Sequence, residues 1–289
     1  TNILGYGEAY GRRIVSFFKD EPIVGGYINS FYLIIVGYFF SLNSRGSKNY
    51  KYFMLICSLF FLIAIFLSGE RSNAIKAILG FLIFYFINDF FKIKEKLILI
   101  LLLFLLIGSL INNSDFLRYR YSSSFLIELS VPDRSKIEKM GKQVQDVSML
   151  SRLYESLYFD HYQSGINVFK NYPFFGIGNK NYRLEACSKN EIYNYVCNAH
   201  PHQTYFEFLA EHGLIGTVIL LFVLFNLIFG KLKIILRSKN YIQVGCFIFL
   251  MSPFIPLLPT GAFFGDGNLT IFWLNLSLMY AVNKKTNIF

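Results

Sequence analysis

Two histidines separated by a proline, His200 and His202, stand where the polar segment CNAHPHQ runs into an apolar stretch that begins at Thr204. An imidazole titrates near neutrality. A ring at the edge of a bilayer is therefore placed to take a proton from a hydroxyl that attacks a lipid-anchored substrate. The competing reading is a satisfied polar group at a membrane interface. His202 is the stronger chemical candidate because it falls in the first turn of the helix that follows. There, unpaired backbone N–H groups and the positive helix end favour an anion such as a diphosphate. His161 and His212 read as interface or packing residues.

Other groups of the same kind are spaced along the chain. Arg12 and Arg13 precede the first apolar run, Arg71 sits in the turn SGERSN, and Arg152 begins an amphipathic stretch. A guanidinium fork matches phosphate oxygens in pairs and keeps its charge at any relevant pH. Anchoring at the interface is the other reading of each. Glu207 and Glu211 lie four apart on one helix face, at depths where a carboxylate must face protein or water. They fit a supporting role toward Arg71, Arg152 or substrate, or an interior ion pair. Cys187 and Cys197 share a loop, whereas Cys57 and Cys246 fall in apolar runs. In an oxidising compartment the loop pair forms a disulfide that clips the approach to His200 and His202. A zinc site of Cys197, His200 and His202 is the alternative, but it lacks the paired spacing of established zinc sites, so no metal is expected.

The elements that must position these groups follow from composition. Hydrophobic residues make up 54% of the 289 and charged residues 16%, which excludes an ordinary soluble domain. Apolar runs closed by polar clusters predict about seven spans, at 23–42, 52–68, 73–91, 97–111, 204–229, 241–262 and 268–282. The fourth is short and extends if Lys96 snorkels. Every second connector is short and basic, through Arg45, Lys48, Lys51, Lys92, Lys94, Lys96, Lys231, Lys233, Arg237, Lys239, Lys284 and Lys285. That alternation puts these connectors in the cytoplasm. It leaves the N-terminal segment, the 68–73 turn, the long 112–203 loop and the 261–267 turn outside. The net charge of +10 is thus largely topological, and no nucleic-acid partner is expected; membrane lipids are.

The fold class expected is all-α, a polytopic transmembrane helical bundle. Residues 1–111 form N-terminal spans, 112–203 a largely helical extracytoplasmic loop, and 204–289 C-terminal spans, together one domain. Within the loop, SRLYESLYFDHYQSGINVFKNYPFFG reads as an amphipathic helix that Tyr172-Pro173 ends. Gly176 and Gly178 then allow close approach of backbone to another element, and Gly213 and Gly216 allow close helix packing. The chain starts at Thr1 without a Met or a signal region, so further spans are expected upstream.

In combination these segments resemble the O-antigen ligase and polymerase superfamily, bacterial polytopic glycosyltransferases that use undecaprenyl-diphosphate-linked glycans. RRIVSFFKDEPIVGGYI is similar to the family's arginine-bearing segment before a span, and SGERSNAIKAILG to its Ser-x-x-Arg turn. SRLYESLYFDHYQSGINVFKNYPFFGIGNKNYR is similar to its outer-loop helix and glycine turn, and HPHQTYFEFLAEHGLIG to its His followed by a span and Gly-x-x-Gly. The resemblance implies that His202 is catalytic and that Arg71 and Arg152 contact the diphosphate, joined by Arg12 or Arg13. His200, Glu207 and Glu211 would support them. The family's commoner His-Asn is His202-Gln203 here.

The family usually has about twelve spans, so on this resemblance the missing ones would precede Thr1. The activity implied is transfer of a glycan from undecaprenyl diphosphate to a lipid A–core sugar hydroxyl on the periplasmic face of the inner membrane, without metal or cofactor. Polymerisation of lipid-linked repeat units shares the same donor chemistry and stays open. A non-catalytic lipid-glycan transporter would line a path through both leaflets with its charges, which one-sided clustering opposes.

Overall fold

The computed structural model describes residues 9–10, 13–14, 23–42, 48–123, 157–189 and 195–286. The protein is all-α and polytopic. Among the described residues the extended backbone is one two-residue antiparallel pairing, Ala9–Tyr10 (β1) with Arg13–Ile14 (β2). The main helices are α1 (Val24–Leu42), α2 (Lys48–Leu67), α3 (Arg71–Ile87) and α4 (Ile93–Asn113), followed by a short α5 (Asp115–Arg118) and a π-turn at Tyr119–Ser123. Next come α6 (Leu157–Asn171), α7 (Tyr182–Ser188), α8 (Thr204–Phe229), α9 (Leu232–Arg237), α10 (Tyr241–Met251) and α11 (Asp266–Ala281).

Among the described residues four stretches are long and apolar enough to cross a membrane: Val24–Leu42, Tyr50–Leu67, Ile93–Asn113 and Thr204–Arg237. The third of these outruns the expected 97–111. Lys96 does not snorkel; it is buried and donates to the carbonyls of Phe86 at 2.8 Å and Asn88 at 2.6 Å, capping the end of α3. The expected span 241–262 is corrected. Its helix stops at Met251, with a 3-10 turn at Ser252–Phe254, because Pro253 brings no N–H to continue the ladder and Pro256 and Pro259 follow.

The chain divides into two compact units. The first comprises residues 1–122, 228–252 and 271–289. In it α1 packs on α10, α2 and α3. A Cβ on Gly37 would lie 2.4 Å from the Tyr241 carbonyl oxygen, and one on Gly245 2.1 Å from that of Leu33. A bare backbone on both helices is what lets α1 and α10 touch.

At one end of this unit Lys51 meets Glu95 at 3.3 Å, Lys239 meets Asp89 at 2.6 Å, and Asn240 Nδ2 donates to the Val282 carbonyl at 2.9 Å. The basic connectors therefore gather at a single end, as alternation of spans requires. The turn before α3 and the π-turn lie together elsewhere in the unit, where Tyr121 donates to the Phe66 carbonyl at 2.7 Å.

The second unit comprises residues 123–227 and 253–270. Its α6 stops at Asn171, just before Tyr172-Pro173, in keeping with the strain proline places on a preceding helical residue. Arg152, Leu153 and Tyr154, expected to begin this helix, lie outside the described residues. The first half of α8 is not continuous with the second. Gly213, at φ 62° and ψ −169°, interrupts it, a conformation that glycine adopts without a Cβ penalty. Into this gap comes Pro173–Gly178. Leu214 and Ile215 donate to the carbonyls of Pro173 and Phe174 at 2.8 and 3.2 Å, and Ile177 and Gly178 donate to those of Ala210 and Glu211 at 3.1 and 2.8 Å. Four backbone groups freed by the break thus find partners in the loop, which is how a broken helix survives at membrane depth. The close approach expected of Gly176 is to α8 itself, and Gly213 serves that loop rather than another helix.

Candidate functional site

In the first unit, Glu70 precedes α3 and turns its carboxylate onto the start of α1. It accepts from the N–H groups of Gly25 and Gly26, the latter at 3.0 Å, and from Asn73 Nδ2 at 2.7 Å. A buried anion on the positive end of a helix stabilises that end. Arg71 opens α3 one residue later and is half-buried. Arg120 Nε donates to the Gly69 carbonyl at 3.1 Å.

Burial pushes the Tyr121 phenol up, while Arg120 and then Arg71 act on it in the opposite sense. Both guanidinium groups are hence within electrostatic range of one phenol. In sequence Arg120 has no pattern that sets it apart from the other basic residues of the 112–203 segment. Arg12 and Arg152 lie outside the described residues, and of Arg13 only the backbone pairing with Tyr10 is described.

In the second unit the histidines converge. The His202 ring lies 4.2 Å from that of His200 and 4.6 Å from that of His161, with Tyr158 edge-on at 6.1 Å. His161 comes from α6 and is buried. It was expected at an interface or in packing, and nothing in its local pattern marks it, because its neighbour lies 41 positions along the chain. Burial holds the His161 and His200 imidazoles below the ordinary histidine range. The shift favours the uncharged form of both rings, which opposes a proton arriving on His202 less than a charged ring does.

His202 itself sits at φ 56°, a left-handed conformation that costs a non-glycine residue of order 1 kcal/mol and persists only where surroundings impose it. Thr260 imposes it. Its N–H donates to the His202 carbonyl at 2.8 Å, and its own carbonyl lies 3.2 Å from His200 Nε2. On the other side Asn198 Nδ2 lies 3.1 Å from His202 Nε2. Cys187 and Cys197 are joined by a disulfide that ties the residue before Asn198 to α7. The Val196 N–H donates to Ser164 Oγ at 3.1 Å, and Ser164 Oγ also accepts from the Tyr182 hydroxyl at 2.7 Å.

Gln203, the residue that follows His202, acts as a helix cap. Its Oε1 accepts from the N–H groups of Tyr205 at 2.7 Å and Phe206 at 3.4 Å. Those N–H groups were expected to face an anion, and the amide occupies them instead. The side chain reaches the second and third positions of the helix, as capping oxygens do. Glu207 and Glu211 are buried and turn to backbone. Glu207 accepts from Phe263 N at 2.9 Å and Phe264 N at 3.4 Å, and Glu211 from Tyr182 N at 3.5 Å. Each fixes a loop onto α8. Among the described residues no three His, Cys, Asp or Glu side chains are arranged to hold a metal ion.

The structure thus brings His202 together with His200 and His161, with Glu207 and Glu211 on the helix that follows. Chemically it presents one imidazole whose Nε2 lies beside the Asn198 amide, with two further imidazoles whose pKa burial lowers. No curated protein and no solved structure matches the chain. The model of the O-antigen ligase family matches residues 53–221. That stretch is more than half the chain and takes in Arg71, Arg120, Arg152 and all the histidines named above, though not Arg12 or Arg13. On that match, the chain belongs to the O-antigen ligase family.

Proposed function

We propose that the protein is a glycosyltransferase of the ligase type, which moves a glycan from undecaprenyl diphosphate to a sugar hydroxyl of lipid A–core on the periplasmic face of the inner membrane. The observation that carries this reading is His202, held in a strained backbone conformation with its ring among two imidazoles and an amide. In the reaction, the acceptor O–H bond breaks and its proton passes to His202. The acceptor oxygen bonds to the anomeric carbon, and the bond from that carbon to the diphosphate oxygen breaks with its electron pair leaving on the diphosphate. Arg71 and Arg152 neutralise that charge, with Arg12 or Arg13 assisting. The rate gain comes from positioning and charge stabilisation rather than from a metal or cofactor.

Replacing His202 with Ala in cells tests the reading. Loss of long-chain surface polysaccharide, with the variant still present in the membrane, is expected; normal chains would reject it. In the null strain, undecorated lipid A–core with long chains left on the carrier marks a ligase. Core bearing a single repeat unit would instead mark a polymerase.

A further inference from the structure

Asn198 Nδ2 lies 3.1 Å from His202 Nε2, and the orientation of the amide is set by its other end. Asn198 Oδ1 accepts from the Ala199 N–H at 2.6 Å, so the NH2 group must face the ring. An NH2 group only donates, hence Nε2 is an acceptor there and a neutral ring carries its proton on Nδ1.

We propose that the Asn198 amide marks the acceptor subsite: it occupies, on His202 Nε2, the position that the attacking sugar hydroxyl takes when acceptor binds. This rests on the ligase reading above and names the nitrogen and the partner it leaves open there. A sugar O–H is a donor of the same reach as the amide N–H, so it replaces Asn198 without any change of tautomer. When it does, its proton passes to Nε2, its oxygen bonds to the anomeric carbon, and the diphosphate leaves with the electron pair. Until then, the amide keeps the ring in the one tautomer that can accept at Nε2.

The surrounding structure supports a positioned amide rather than a chance contact. Cys197, the preceding residue, is bonded to Cys187 in α7, and Val196 before it is held on Ser164. From the opposite side Thr260 holds the backbone of His202 and lies against His200. The ring and the amide are thus fastened by separate elements. Among the described residues the titratable rings that meet His202 include His161 from α6, His200 from its own segment, and Tyr158 at its edge.

Asn198 acts through His202 and is a positioning residue. Full-length protein labelled with 15N in its histidine rings, purified in detergent micelles, gives a readout independent of turnover. The His202 signals are assigned by their loss in His202→Gln. Wild type is expected to show Nδ1 protonated and Nε2 bare at pH 7.5. Asn198→Ala should give a tautomer mixture, Asn198→Ser should restore the wild-type pattern, and Asn198→Asp should protonate Nε2 and raise the apparent pKa of His202 by about 1 unit or more.

In glycan transfer measured in membranes, Asn198→Ala should lower kcat about 10-fold with the KM for acceptor unchanged or reduced. Asn198→Asp should move the rising limb of the pH profile to more alkaline pH. A protonated Nε2 in wild type, or a His202 tautomer indifferent to Asn198→Ala, would overturn the proposal. Full activity of His202→Gln would instead overturn the ligase reading and leave the tautomer result standing.

Discussion

The carbonyl of Phe174 accepts the N–H of Ile215 at 3.2 Å, so a loop residue completes the hydrogen-bond ladder of a span. The contact depends on bare backbone at Gly176 and Gly213. A Cβ on Gly176 would lie 2.3 Å from the Glu211 carbonyl carbon and one on Gly213 2.4 Å from that of Phe174, and both positions have positive φ. Gly176→Ala and Gly213→Ala should each cost about 3 kcal/mol or more, read as lower midpoints of thermal or denaturant unfolding in micelles. Gly108→Ala is the control. Nothing lies within 4 Å of that Cβ position, and in α4 the change should be neutral or stabilise by up to about 1 kcal/mol.

Two lysines at the basic end of the first unit should behave differently. Lys96 is buried and satisfies the carbonyls of Phe86 and Asn88. Lys96→Met should therefore leave them without a donor and cost about 1–3 kcal/mol. Lys239 pairs with Asp89 where both side chains are mostly in solvent, and such pairs are screened. Lys239→Ala should leave the unfolding midpoint where it was. Equal losses in the two variants would show that burial of Lys96 does not set its role.

Stability should fall with acid through the imidazoles of the second unit. Burial depresses the folded-state pKa of His161 and His200, while in the unfolded chain they titrate near about 6.5. Between those limits the unfolded state binds more protons, so stability is full above the unfolded pKa and is lost as pH falls below it. The midpoint of thermal unfolding should drop between about pH 7.5 and 5.5, and the double variant His161→Gln, His200→Gln should flatten that dependence. An unchanged slope would show that these two rings do not carry it.

Much of the fold is legible in sequence because the bilayer leaves few choices. Apolar runs closed by Lys and Arg mark the long helices, and the described residues of the basic connectors gather at one end. Helix ends were harder. A run as apolar as 241–262 hides the stop that Pro253 makes, and Gly213 in EHGLIG looks like a helix-packing glycine until its partner loop is seen. At the candidate site, His200 and His202 advertise themselves through spacing, whereas His161 and Asn198 do not. His161 reaches the cluster only because α6 folds back, and an Asn four residues before a His has no pattern of its own. The amide of Gln203 shows the same limit. Its type was visible, but that it would cap α8 and take up the N–H groups expected to face an anion depends on where its side chain turns.

The order in which the chain is made gives the break in α8 a further meaning. Pro173–Gly178 leaves the ribosome before Gly213 does, so when the broken span enters the bilayer the groups that will satisfy its freed N–H and carbonyl atoms already exist. Glu207 has no such advantage. The Phe263 and Phe264 N–H groups that it accepts from are synthesised some fifty residues later, so its carboxylate enters the membrane before these partners exist. The loop before α8 is thus ready to dock as soon as its span arrives, while the loop after α10 must complete its side of the unit last.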